Sequence, residues 1–415
     1  MIDPSPTVDE RIAFPPPILV KGVALLLLLV AGWWGYRIWQ RRTTETLQQA
    51  CLAALEAEDW ELAEQLGLRW RDHDPDNTRI LAHLAEAARR QQALDRTADY
   101  LLQIPDSDPD ALTLLALAAE VQFAGLNAPL AAEQTWLRMI AIEPRSNAPR
   151  RKLMYFYALS LQRQKLGAQV RDAIRHRAEP PDAYVYLLLR QELRFSDSFP
   201  IVSGWLRTHS TDETLKVAQA CALADAPKDI DLRYYGDGEF KPGSLKLIEQ
   251  CRELYPHNIE IIAFDLERAI DLGDLSSVET LLQSPSEAIQ QDPRFWRSQG
   301  WYLRGTNELA EAEVAYQTAL KLDPFDWRAR HELAQLLRRT GRAEEAEKLA
   351  VVALEGKDLE RSLLERPNTS DLPTDLLRRI GRLARDVGAA EIAEAVQFRV
   401  GNDEQMQPES TQAAN

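Results

Sequence analysis

The chain has 415 residues, 27% of them charged and 45% hydrophobic, with a formal net charge of −15. An excess of 64 carboxylates over 49 Lys and Arg disfavours generic nucleic-acid binding, which wants a basic surface against phosphate. Ala, Leu, Glu and Arg are abundant, Gly numbers 18, and no long alternating Val/Ile/Thr run occurs, so the composition argues for an all-α chain.

Residues 1–17 are a short Pro-rich tail. Ile18–Tyr36 follows, with the apolar run Leu25–Leu29 and one charge, Lys21, near its start. At about 1.5 Å per residue this stretch reaches roughly 28 Å, the thickness of a bilayer core. A cleaved signal peptide would place small residues where Trp33, Trp34, Tyr36 and Trp39 stand, and a buried core helix is the other rival. The reading adopted is a transmembrane helix over 18–36, making the chain a single-pass cell-membrane protein. Arg37, Arg41 and Arg42 after the span put the remainder on the cytoplasmic side, with the periplasmic or extracytoplasmic side as the alternative.

Past the span, Thr44 opens a unit with Ala50, Cys51, Ala54, Ala63, Trp70 and Pro75, and Pro109 follows Pro75 by one further period. The unit near Thr113 carries Ala132, Trp136, Met139 and Pro144, and the one near Asn147 carries Leu153, Tyr157, Val170 and Ala173. These define an N-terminal repeat region over 44–181. Over 182–258 the spacing becomes irregular, with helical stretches on either side of a loop at 227–242. Regularity returns over 259–356. Residues 357–373 read as an irregular linker, 374–400 as a last helical hairpin, and 401–415 as a polar, disordered tail.

The clearest pattern lies in the C-terminal region. With Pro293 as position 1 of a 34-residue unit, Trp296, Gly300, Leu303, Ala312, Tyr316, Ala319 and Pro324 occupy positions 4, 8, 11, 20, 24, 27 and 32. The next unit, from Trp327, repeats it with Leu333, Ala334, Leu337, Ala346, Ala350 and Ala353. The pattern resembles the tetratricopeptide repeat, from which Gln299, standing where the family has Leu, is the main departure. Small side chains at positions 8, 20 and 27 let two antiparallel helices approach, a large one at 24 fills the gap, and Pro at 32 stops the second helix. The resemblance implies a right-handed α-solenoid of helical hairpins behind the N-terminal transmembrane helix. It also implies a scaffold or adaptor that holds protein or peptide segments in a concave groove, as in the assembly of an envelope or secretion complex.

Catalytic and metal signatures are weak. His331-Glu332-Leu333-Ala334-Gln335 has Gln where a zinc protease needs its second His, and Gly236-Asp237-Gly238 lacks the rest of a phosphate loop. Cys51, Cys221 and Cys251 form no CxxC and read as small buried hydrophobes. The expectation is therefore a non-enzyme with no cofactor, no metal and no nucleic-acid partner. The competing reading is a regulatory or catalytic site in 182–242, around Arg233, Tyr234 and Asp237.

In the family the first helix of each hairpin faces the groove through positions 2, 5, 9 and 12 or 13. Transferred here, these are Arg294, Arg297, Trp301 and Arg304, then Arg328, His331, Gln335, Arg338 and Arg339, then Arg378, Arg382 and Arg385. Guanidinium groups pair bidentately with carboxylates, so this wall suits acidic peptide segments. The alternative is that these arginines lie on solvated faces or pair with Glu of neighbouring units. Near Thr113 the same positions give Leu114, Leu117 and Val121, an apolar groove for a helix or strand, or else core.

Overall fold

The computed structural model describes residues 17–193, 195, 197–226, 240–283, 287–366 and 372–406, with 17–27, 287 and 402–406 described by backbone alone. Every regular element among them is helical. The chain divides into two compact units, Met1–Asp108 and Pro109–Asn415.

The first unit contains α1 (Pro17–Glu56), α2 (Trp60–His73), α3 (Arg79–Arg90) and α4 (Leu94–Leu102). The 40-residue α1 joins the expected span to the first hairpin: its last turns bury Cys51 and Ala54 against α2, where Ala63 and Trp70 are also buried. The transmembrane expectation is corrected here. Among the described residues no helix is long and apolar enough to cross a membrane. Within the described side chains the apolar stretch of α1 runs only from Leu28 to Tyr36, before Arg37, Arg41 and Arg42 interrupt it. The single-pass localisation, and the sidedness argued from it, fall with that span.

The second unit begins with α5 (Ala111–Glu120), which passes through a π-helical turn, Val121–Gly125, before α6 (Pro129–Ile142). Then come α7 (Asn147–Leu159), α8 (Arg163–Arg175), α9 (Asp182–Leu189), α10 (Ser198–Leu206), α11 (Glu213–Ala224) and α12 (Lys246–Leu254). The remaining helices are α13 (Ile259–Asp271), α14 (Leu275–Leu282), the short α15 (Glu287–Gln290), α16 (Pro293–Gly305), α17 (Leu309–Leu322), α18 (Trp327–Arg339), α19 (Ala343–Leu364), α20 (Thr374–Asp386) and α21 (Ala390–Met406). Consecutive helices pack as hairpins, α16 on α17 and α18 on α19 among them.

The repeat is written into the backbone at two places. Helix starts are capped by Asn258, Asp292 and Asp326, which accept from the amides of Glu260, Arg294 and Ala329. Successive caps are 34 residues apart, and each satisfies an amide the helix leaves unpaired. Inside each hairpin a single left-handed residue reverses the chain: Gly273 (φ 69°), Asn307 (φ 68°) and Gly341 (φ 82°), again 34 apart. Gly and Asn enter that region at the least steric cost.

The second unit folds back on itself. All eight residues of α9 are buried, because α9 packs on α7 and α8 on one side and on α19 on the other, while α8 also meets α21. Arg190 and Gln191, just after α9, both reach Asp323 Oδ2, at 2.9 and 2.7 Å. The irregular middle of the sequence is thus the segment that leaves the hairpin stack and packs against its C-terminal part.

Two expected boundaries change. Helix α19 continues to Leu364 through part of the range expected to be irregular, because Leu359 and Leu363 are buried and Glu360 accepts from Trp327 and Arg328. Gly401 to Met406 complete α21 instead of starting the tail. Residues 227–239, including Arg233, Tyr234 and Asp237, and the tail from 407 lie outside the described residues.

Candidate interaction surfaces

The first helices α16 and α18 carry most of the expected groove residues, and the structure shows where their charges go. Arg294 is 4% exposed. It bonds Asp292 Oδ2 (2.7 Å) and Glu260 Oε1 (2.6 Å), and Glu260 also pairs with Arg163 (3.0 Å). Burial pushes the Glu260 carboxyl up, yet Arg163 and Arg294 together hold it below the ordinary carboxylate range. Arg297 bonds Asp326 (2.7 Å) and approaches Glu267 (3.4 Å). Arg304 pairs with Glu332, and Arg328 with both Glu192 (3.0 Å) and Glu360 (3.1 Å).

Most of the expected Arg wall is therefore an internal ion-pair lattice. Arg294 and Glu260 occupy the same position of adjacent repeats, 34 residues apart, so one repeat's arginine closes on its neighbour's glutamate. A buried pair of this kind fixes relative position, and an acidic ligand would have to displace carboxylates already in place. The acid Glu192 comes from the fold-back segment after α9, which frame-shifted repeats gave no means of placing. The caps Asp292 and Asp326 did leave a signal: an Asn/Asp recurring every 34 residues from Asn258.

Four of the expected residues, Arg297, Trp301, Arg328 and His331, do come together. With Ile270, Trp327, Glu192 and Glu332 they line a cleft of about 580 Å³. Trp301 and Trp327 are partly exposed in it, and Arg328 and Lys357 stack over the Trp327 ring at 4.4 and 5.5 Å. His331 Nε2 accepts from the Gln335 side-chain amide (2.6 Å). Arg338, at the end of α18, pairs with Glu347 (3.2 Å), and its neighbour Arg339 is exposed.

Arg378, Arg382 and Arg385 are brought together elsewhere, along the exposed side of α20. The apolar set Leu114, Leu117 and Val121 is exposed to different degrees. Leu117 is exposed and Leu114 half-buried, but Val121 opens the π-helical turn and is buried. The turn shifts the register of the residues after Val121, and within it Phe123 joins a ring cluster with Trp136 (5.2 Å) and Trp205 (5.6 Å).

The packing of α16 on α17 explains the sequence pattern at the level of atoms. Gly300 lies against the Tyr316 ring, and Ala312, Tyr316 and Ala319 are fully buried between the helices. The family model described as "Tetratricopeptide repeat" matches residues 315–348, which run from the middle of α17 into the second turn of α19. The chain carries the tetratricopeptide repeat.

No curated protein matches the sequence. Among solved structures the repeat protein is similar to that of the APC/C hetero-tetramer Cut9–Hcn1, at 14% identity over 86% of this chain and 79% of that one, with a TM-score of 0.33. It is also similar to yeast Tom70, at 13% identity, 88% and 77% coverage and a TM-score of 0.25. A tetratricopeptide repeat protein from Parabacteroides merdae gives 12% identity, 71% and 99% coverage and a TM-score of 0.26. Nothing about the partners of this repeat protein follows from those three.

Proposed function

We propose that the chain is a protein-interaction scaffold whose second unit holds a segment of a partner protein in the cleft between α13, α16 and α18. The observation that carries this reading is the pair Trp301 and Trp327, partly exposed in one cleft whose arginines are fixed by internal carboxylates. Such a wall is rigid, and its aromatic faces offer apolar area without an ordering penalty on the protein side. The reading also suits the family, since stacked hairpins build surfaces larger than any one hairpin provides. Crosslinking of the full chain in its native extract, followed by mass spectrometry, should place partner peptides on Trp301 or its cleft neighbours. Trp301→Ala should reduce recovery of those partners with helicity unchanged; equal recovery would reject the cleft.

A second reading, a regulatory or catalytic site in 182–242, has one observation in its favour. A cavity of about 310 Å³ beside that region is lined by Gln191, Leu193, Phe195, Ser198 and Cys221 together with Arg163, Glu260 and Arg294. Its charged walls are bonded to one another, and burial pushes the Cys221 thiol up, away from the reactive thiolate. The cavity therefore suits a small regulatory ligand better than chemistry.

A further inference from the structure

Where the 34-residue spacing lapses, after α8, the helices leave a gap among themselves: the cavity of about 310 Å³ bordered by Arg163, Glu260 and Arg294 reaches from α10 and α11 to α13. Leu159, Leu193, Phe195 and Phe264 give it apolar walls. No charged group in the lining is free, since Arg163 and Arg294 both face Glu260, Glu267 has Arg297, and Asp225 is engaged as well. Two polar side chains in the wall differ. Ser198 at the start of α10 is 6% exposed and Cys221 on α11 is 7% exposed, and neither side chain hydrogen-bonds another described residue. Buried hydroxyls normally find a partner, so one left open on a cavity wall marks where a bound molecule supplies it. Water would serve the hydroxyl but leave the apolar walls unmatched.

We propose, resting on the second reading given for residues 182–242, that this cavity binds a small, uncharged, two-ring heteroaromatic molecule with a hydrogen-bond donor beside an acceptor. About 150 Å³ holds a benzene ring, so 310 Å³ takes two fused rings. A charged ligand would meet walls whose charges are already matched, and would be buried without a counter-ion of its own. Ser198 Oγ can accept from a ring N–H and donate to the ring nitrogen next to it. The aromatic body is the part that suits Phe195 and Phe264.

The probe is 7-azaindole, whose ring N–H lies beside a ring nitrogen. Its binding to the full chain is followed by saturation-transfer NMR and by protection of Cys221 from N-ethylmaleimide, mapped by mass spectrometry. It should bind with a Kd on the order of 1 mM, ordinary for so small a molecule. At about five times that concentration it should slow labelling of Cys221 about sixfold and leave Cys51 labelling unchanged. 7-Azaindole-3-carboxylate should bind at least about tenfold more weakly. Ser198→Ala should weaken 7-azaindole about fivefold, the loss of one hydrogen bond, and Ala222→Phe, which fills the cavity from α11, should abolish binding. Trp301→Ala should change nothing, which separates this cavity from the cleft proposed above. Absence of saturation transfer to 7-azaindole, or transfer that survives Ala222→Phe with an unchanged melting curve, overturns the proposal. If the carboxylate protects Cys221 as well as its parent does, the ligand class is wrong while the cavity stands as a site. If neither compound protects Cys221, the reading of a site in 182–242 falls with it.

Discussion

Gly300 on α16 packs against the flat of the Tyr316 ring on α17: a Cβ at position 300 would stand 2.7 Å from Cε1, 2.8 Å from Cδ1 and 2.9 Å from Cζ. Tyr316 is fully buried, so its ring cannot swing into solvent to make room. Gly300→Ala should therefore destabilise the second unit by about 1–3 kcal/mol, despite the better helix propensity of Ala. The cause is a contact between two named residues, so a double-mutant cycle isolates it. Gly300→Ala combined with Tyr316→Leu should cost less than the two changes added. Strict additivity in urea unfolding would show that the Gly serves some other purpose.

Gln299, beside that glycine, stands where the family has Leu, and its side-chain oxygen is buried without a hydrogen-bond partner among the described residues. A buried, unpaired amide oxygen costs roughly 1–3 kcal/mol relative to a satisfied or apolar one. Gln299→Leu should accordingly raise the melting temperature, since the side chains are of similar size and the packing is already that of the family. A lower melting temperature would mean that the amide makes an interaction the static structure does not show.

The hairpins could be read in the sequence wherever a residue's role was set by its own repeat. Gly300 meets Tyr316 inside one hairpin, Ala312 and Tyr316 share a core with Leu333, Leu336 and Leu337 of the next, and the 34-residue spacing announces both contacts. Charges were a different matter. Arg294 looked available because position 2 faces a groove in the family, but its fate depends on Glu260 one repeat earlier and on its own cap, Asp292. Arg328 depends on Glu192, whose position is set by the fold-back of α9 and by no periodicity at all. On α20, Arg382 and Arg385 are exposed. Leu114, Leu117 and Val121, spaced by three and four, differ in burial: Leu117 is exposed, while Val121, where the π-helical turn begins, is buried.

Glu260 is the node that joins α8, α13 and α16, taking Arg163 at 3.0 Å and Arg294 at 2.6 Å with all three side chains largely buried. Glu260→Gln removes the charge that both guanidiniums face. Arg294 keeps Asp292, but Arg163 is left with neutral acceptors, so the loss should be about 3 kcal/mol, the lower end for breaking a buried pair. The same network predicts an acid limb. Burial pushes the Glu260 and Asp292 carboxyls up, and the arginines more than reverse it, so both folded values lie below the ordinary 4.5 and 3.8. Depressed carboxylates contribute stability that is fully present above those ordinary values and is lost as the pH falls through the folded ones. Wild-type stability, followed by urea unfolding from neutral pH downward, should thus hold to about pH 4.5 and then decline steeply. Glu260→Gln should start lower and decline less, because one of the two titrating carboxylates is gone. Parallel acid limbs for the two proteins would show that Glu260 is not linked to folding in this way.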